Sequence, residues 1–413
     1  MSDERPRILV VGDAVAPTGF ARVLHSILER LTEHYEFHHV GLNYYGDPHD
    51  FPWRIYPAGA EGDPQGTNRL PGLVRRVRPH LVFLLNDLWI LVNYLRALRD
   101  VRDAREVPEA SRPLPIVGYT PVDAGPIEPS LMRELDGFDR LYAYTRYGQG
   151  QLEASIAAVL QEHPDFTPRT VEVIPHGVDT DRFYPLGEDR EASRREARRL
   201  LFPENPELHD GFLVLNANRN QPRKRIDLTL KGFALFAQGK PENVKLYLHM
   251  GTEDLGWNVK ALARRYGMED RLILTADENH VPGVSDEILN RIFNACDVGI
   301  NTSVGEGWGL VSCEHAAAGA AQVVPRHSAC AEIWEGAAEM MEPAYTLVME
   351  RILTEGKVVT PEAVAVALEA LYADPDHLRR TAEASYRAAT REVYRWENVA
   401  AQWHEVFRKV LQS

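Results

Sequence analysis

Two glutamates eight residues apart, Glu306 and Glu314, mark the part of this sequence richest in groups that could do chemistry. The segment VGINTSVGEGWGLVSCEHAAAGAAQVVP reads as an apolar strand at 298–300, a loop carrying Gly305, Gly307 and Gly309, a helix from about Leu310, and a second apolar strand. The glycines bracket Glu306 and Trp308, so the backbone amides of Gly307, Gly309 and Leu310 at the helix start can meet a phosphate or sugar hydroxyls. Glu306 falls at the helix mouth and Glu314 about two turns deeper. A carboxylate accepts hydrogen bonds from a vicinal diol bidentately, and such a pair could hold a sugar and a ribose at once. Alone, Glu314 would read as an ordinary surface glutamate. The glycines and small residues around it argue against that.

Two further loops follow strands in the same way. In NANRNQPRKRIDL a strand ends and Arg219, Arg223, Lys224 and Arg225 crowd the loop before a helix, at the end of a parallel strand where ligands bind. A diphosphate role is expected for Arg219 and Lys224, with Arg223 and Arg225 solvated. In GDAVAPTG, Gly19 either lets a phosphate approach the backbone or serves only as a turn residue. Thr18 is placed to cap the helix that follows. The loop has no G-x-G-x-x-G, which disfavours dinucleotide binding.

These motifs resemble the retaining glycosyltransferases of family 4. EGWGLVSCE matches the family's E-x7-E signature and RNQPRK its arginine followed by a lysine five residues on. VIPHGVDTDRFYP is similar to its interdomain segment, with His176 in place of the usual asparagine. TGFARVLHSIL is similar to the first loop and helix, and YRWENVAAQW to a C-terminal helix that returns to the N-terminal domain. The resemblance implies that Glu306 contacts the donor sugar, Glu314 holds the ribose, and Arg219 and Lys224 neutralise the departing diphosphate, as a divalent cation does in other transferases. It also implies a histidine after the strand at 115–119, where this chain has YTPVDAGPIEP. Asp123 stands in its place and either orients a hydroxyl or forms a turn. Expected as catalytic are Glu306, Arg219, Lys224 and Asp123, and as donor-binding Gly19, Gly307, Trp308, Gly309, Leu310 and Glu314. No metal is expected: Asp179 and Asp181 lie in the interdomain segment, and Asp374 and Asp376 at a helix junction. His176 is expected to be structural.

The elements that must position these residues form two β/α series. The first has strands at 8–11, 81–85, 116–119, 141–144 and 171–174, and the second at 212–215, 246–250, 272–274, 298–300 and 322–324, with helices between many of them. The expected fold class is α/β of the GT-B kind, two Rossmann-like domains facing across a cleft. The expected bounds are an N-terminal acceptor domain at 1–190, a connection at 191–210 where the charged, proline-bearing EDREASRREARRLLFPENPELHD reads as a solvated helix leading into it, a donor domain at 211–390, and a C-terminal helix at 391–413 packing back on the first domain. A chain of 413 residues has room for both cores.

Composition narrows the partners. With 46 Lys+Arg against 60 Asp+Glu the formal charge is -14, which disfavours nucleic acid and anionic lipid. Cys296, Cys313 and Cys330 form no C-x-x-C and read as buried free thiols. The N-terminus, MSDERPRILVV, has charges and no apolar h-region, and the apolar run at 81–95 is broken by Asn86 and Asp87, so no transmembrane segment and a cytoplasmic location are expected. The function expected is a retaining, metal-independent hexosyltransferase needing no cofactor beyond a UDP- or GDP-sugar donor, with a glycan, small molecule or lipid-linked acceptor. The aromatic loop at 43–68 is expected to shape the acceptor site. A catalytically silent glycan- or nucleotide-binding relative, and a transferase acting on nucleic acid, are the alternatives.

Overall fold

The computed structural model describes residues 5–103, 113–349 and 352–413. The charged first four residues noted above lie outside that range. In chain order the elements begin with β1 (Arg7–Asp13), α1 (Gly19–Glu29), β2 (Glu36–Leu42), β3 (Arg54–Pro57), α2 (Leu70–Val77), β4 (Leu81–Leu85) and α3 (Leu88–Asp103). Then come β5 (Ile116–Thr120), α4 (Pro129–Glu134), β6 (Arg140–Ala143), α5 (Arg146–Glu162) and β7 (Val171–Val173). These strands form one sheet in the order β3-β2-β1-β4-β5-β6-β7, paired in parallel throughout.

The second series runs α6 (Arg190–Leu201), β8 (Phe212–Asn216), α7 (Ile226–Phe236), β9 (Val244–Leu248), α8 (Val259–Arg265), β10 (Leu272–Leu274), α9 (Asp286–Ala295), β11 (Val298–Ile300), α10 (Leu310–Ala317), β12 (Ala321–Pro325), α11 (Ser328–Trp334) and β13 (Glu339–Met341). Its sheet has the order β10-β9-β8-β11-β12-β13, again all parallel. An antiparallel hairpin, β14 (Tyr345–Val348) and β15 (Glu355–Val358), precedes α12 (Pro361–Ala373), α13 (Pro375–Ala389) and α14 (Trp396–Gln412).

Contacts divide the chain into two units, one of residues 1–177, 349–354 and 396–413, the other of 178–348 and 355–395. In each, the strand order turns back beside the first strand of its series, between β1 and β4 and between β8 and β11. Such switch points leave a crevice at the carboxyl ends of the strands.

The first unit's core follows from its continuous apolar strands. β4, LVFLL, is buried at every position, as a strand covered on both faces must be. Thr18 accepts from Ala21 N at 3.2 Å and so caps α1, whose Val23, Leu24, Ile27 and Leu28 turn inward. Gly12 permits this approach: a Cβ there would come within 2.5 Å of Leu24 Cδ1 and 3.0 Å of Leu85 O. From the C-terminal end of the chain, α14 contributes Trp396, Val399, Trp403 and Phe407, with Trp403 4.7 Å from Phe83 and 4.8 Å from Tyr119.

In the second unit, the helix expected near 191–210 is present as α6, but it is packed where it was expected to be solvated. α6 lies on α9, and Arg198 explains why. This arginine is 4% exposed, donates to Ala295 O and Gly211 O at 2.8 Å each, and meets Asp297 Oδ2 at 2.5 Å. Asp297 also pairs with Arg194 at 3.2 Å and accepts the Leu213 N–H at 2.7 Å. The first unit ends instead at Gly177, against which Trp396 packs so closely that a Cβ would meet its ring at 2.5 Å.

Breaking a buried pair by removing one partner strands the other charge. Asp297→Asn is therefore expected to lower the unfolding free energy by about 3–5 kcal/mol. Denaturant unfolding followed by tryptophan fluorescence checks this, and a loss below about 1 kcal/mol, the range of exposed pairs, would contradict the role given to Arg198.

Candidate functional site

The second unit's switch point brings together two loops that are far apart in sequence. The loop after β8, residues 217–225, carries Arg219, Arg223 and Lys224; the loop after β11, residues 301–309, carries Glu306. Lys224 Nζ donates to Glu306 Oε1, Asn301 Nδ2 donates to the same oxygen at 3.0 Å, and Arg223 Nη1 lies 3.4 Å from Oε2. Glu306 is 3% exposed and Lys224 8%. Burial by itself would raise the Glu306 carboxyl, but the charges of Lys224 and Arg223 and the bonds from Lys224 and Asn301 outweigh it and hold the group down at about 2. The carboxylate is ionised at neutral pH.

Local chemistry shapes both loops. Asn301 Oδ1 accepts the Ser303 N–H at 2.8 Å, and Ser303 Oγ donates to Gly305 O at 2.8 Å, which folds the start of the second loop into a tight turn. Val304 N–H donates to Arg223 O at 2.9 Å and Val304 O accepts from Lys357 N–H of β15 at 2.8 Å, so the loop is tied on both sides. The first loop is closed by a single turn at 222–224 and by Arg225 in a left-handed conformation, φ 49°, with Thr302 Oγ1 donating to the Lys224 and Arg225 carbonyls at 3.0 and 2.9 Å. Gly309 precedes α10 with φ 96°, a backbone that favours glycine, and no side chain caps the helix. The first-turn N–H groups of α10 thus make an anion-binding terminus beside the Glu306 loop.

The remaining expected residues fall in different places. Glu314 is buried on α10, about one turn from its start. Trp308 is also buried and packs edge-on against Tyr394 at 5.0 Å. Arg219 does not hydrogen-bond the Glu306 cluster; it pairs bidentately with Asp254 at 2.7 and 3.1 Å, its side chain 46% exposed. Gly19 and Asp123 belong to the first unit, one opening α1 and the other following β5.

Two expectations need correction. Arg223, taken as solvated, donates to Gly305 O at 2.8 Å and faces Glu306. Arg225, taken likewise, is held by both oxygens of Asp227 at 3.0 and 2.8 Å. Asn301, Ser303, His327 and Ser328, which sequence reasoning passed over, also belong to the cluster. Asn301 and Ser303 sit in a short NTS run after β11, and nothing in that run separates a buried turn former from an exposed one.

Other polar groups have structural duties. Asp179 accepts from the N–H groups of Asp181 and Arg182 at 3.1 and 3.2 Å, and Asp374 caps α13 through the N–H groups of Asp376 and His377, both at 3.0 Å. His176 is buried, its Nδ1 2.8 Å from Tyr119 Oη, and burial keeps it neutral with a pKa of about 3. The three cysteines are buried and unpaired. No group of His, Cys, Asp or Glu suited to a metal is found among the described residues, and no helix among them is long and apolar enough to cross a membrane.

No family model matches the chain. Parts of it are similar to curated glycosyltransferases. The mannosylfructose-phosphate synthase of Agrobacterium fabrum is 28% identical over 176 residues, 41% of this chain and 35% of that protein. The D-inositol 3-phosphate glycosyltransferase of Geodermatophilus obscurus is 34% identical over 188 residues, 44% of this chain and 36% of that protein. The chain thus spans little more than a third of the length of these relatives. Among solved structures, Anabaena HepE in complex with UDP and glucose matches with a TM-score of 0.69 at 16% identity, covering 98% of this chain and 100% of that one. At that identity the likeness speaks to the fold, which is the GT-B architecture of two parallel-sheet α/β units.

The site makes the protein acid-sensitive in a defined order. Burial lowers His327 from 6.5 to about 4, so the stability it confers is complete above about pH 6.5 and is lost as pH falls towards 4. The loss amounts to roughly 3 kcal/mol. Glu306 contributes its share above its ordinary 4.5 and loses it only as pH falls towards about 2. In thermal melts, the stability gap between wild type and His327→Phe should narrow as pH is lowered across the His327 window. A gap independent of pH there would contradict a buried neutral imidazole.

Proposed function

We propose that this chain is a retaining, metal-independent hexosyltransferase that moves a sugar from a UDP- or GDP-linked donor to an acceptor hydroxyl of a glycan, small molecule or lipid-linked molecule. The observation that carries the reading is the buried, ionised Glu306 held by Lys224 and Arg223 beside the uncapped start of α10. The UDP and glucose of the HepE complex favour a UDP-sugar over a GDP-sugar.

In this reading the donor diphosphate lies against the α10 terminus, whose N–H groups and dipole favour negative charge. Glu306 accepts hydrogen bonds from the sugar. A carboxyl held near 2 has no proton to give at neutral pH, so it cannot serve as a general acid. Its charge also favours the positive character that develops at the anomeric carbon as the bond to the diphosphate breaks. Lys224 and Arg219 supply fixed positive charge to the departing diphosphate, Glu314 holds the ribose, and Asp123 orients a hydroxyl. Gly307, Gly309 and Leu310 contribute backbone amides to the donor.

Three outcomes test this. Incubated with a panel of UDP- and GDP-sugars, the protein should hydrolyse or transfer from one of them equally well with and without EDTA; complete loss reversed by Mg²⁺ or Mn²⁺ would overturn metal independence. Replacing Arg219 or Lys224 by Ala should lower turnover on the order of 10²-fold, as removal of a preorganised group at a developing anion does. Near-normal turnover in both variants would sink the leaving-group assignment. Glu314→Ala should chiefly weaken nucleotide binding, whereas Glu306→Ala should chiefly lower turnover, and calorimetric titration with UDP alongside steady-state kinetics separates the two.

A further inference from the structure

His327 leads from β12 into α11, and Ser328, the first residue of α11, takes φ 45°, a left-handed backbone that residues with a Cβ rarely hold. Both residues are buried. Ser328 Oγ lies 3.1 Å from Glu306 N and 3.0 Å from His327 Nδ1. His327 Nε2 lies 3.0 Å from Ser303 O, and Ala329 N–H donates to Glu306 O at 3.3 Å.

These contacts leave one arrangement of protons. Ser303 O can only accept, so His327 Nε2 carries its hydrogen and donates. The imidazole is neutral, because burial lowers it to about 4, and Nδ1 is therefore an acceptor. Ser328 must donate its O–H to Nδ1, which leaves its lone pairs for the Glu306 N–H. The circuit closes through Ser303 N–H to Asn301 Oδ1 and from Asn301 Nδ2 to the Glu306 carboxylate. Glu306 is thereby held at its N–H, its carbonyl and its carboxylate.

We infer that Ser328, oriented by His327, is a positioning residue that fixes the Glu306 backbone and so aims its carboxylate, and that the left-handed Ser328 backbone is retained for this bond. The inference rests on the part given to Glu306 in the proposed transfer. The competing explanation is a turn that merely needs a left-handed residue. Glycine separates the two, because it adopts φ 45° without strain and lacks the hydroxyl.

Ser328→Gly, Ser328→Ala and His327→Phe would be compared with wild type for turnover, UDP affinity and hydrogen exchange at the Glu306 amide. A turn that needs only its backbone angles predicts that Ser328→Gly keeps full turnover and slow exchange, and that result overturns the inference. A positioning role predicts that all three variants lose about tenfold or more in turnover while UDP affinity stays within about twofold, since misplacing a reacting group costs rate rather than binding of a remote part. It also predicts faster exchange at Glu306 in Ser328→Gly and Ser328→Ala. Should wild type act on no UDP- or GDP-sugar, the proposed transfer fails, and exchange alone judges the bond: faster in Ser328→Gly supports it, unchanged overturns it.

Discussion

A carboxylate buried to 3% exposure in a protein interior is tolerated only if something nearby keeps it charged, and much of the second unit answers that requirement at Glu306. The two cations come from the loop after β8 and the carboxylate from the loop after β11, which are neighbours only because the sheet order turns back between those strands. Gly309 then takes a backbone that most residues would resist, so that α10 begins beside the carboxylate without a side-chain cap. The hairpin of β14 and β15 grips the loop from outside through Val304.

What the residues reveal in advance, and what they hide, follows from how far apart the interacting groups lie. β4 is readable because LVFLL is apolar at every position, and the Glu306 loop because its glycines, strand and helix are contiguous. β2, EFHHVGL, escaped notice: its histidines break the apolar pattern, yet His39 is fully buried and bonds Gly12 O at 3.2 Å across the sheet. α6 reads as a solvated helix for the same reason. Its arginines resemble surface charge until Arg198 is seen to meet Asp297, 99 residues further on. Arg223 and the His327–Ser328 pair are hidden likewise, since their partners sit 82–83 and 22–24 residues away and no local pattern encodes them.

The same separation explains which of the expected site residues come together. Lys224 reaches the Glu306 carboxylate because the turn at 222–224 points it inward, with Thr302 Oγ1 against the Lys224 and Arg225 carbonyls that follow. Arg219, a few residues earlier, faces outward to Asp254, where it also ties down the loop that Asn220 clamps through Gly251 and Trp257. Spacing alone treats these two cations as equivalent. The structure gives one to a buried carboxylate and leaves the other half-exposed, paired with Asp254.

In the proposed transfer, a donor diphosphate takes its place between Lys224 and the start of α10. A crystal structure with UDP bound tests it most directly. Phosphate oxygens are expected within about 3 Å of Lys224 Nζ and of the first-turn N–H groups of α10. A nucleotide whose phosphates touch neither would contradict it.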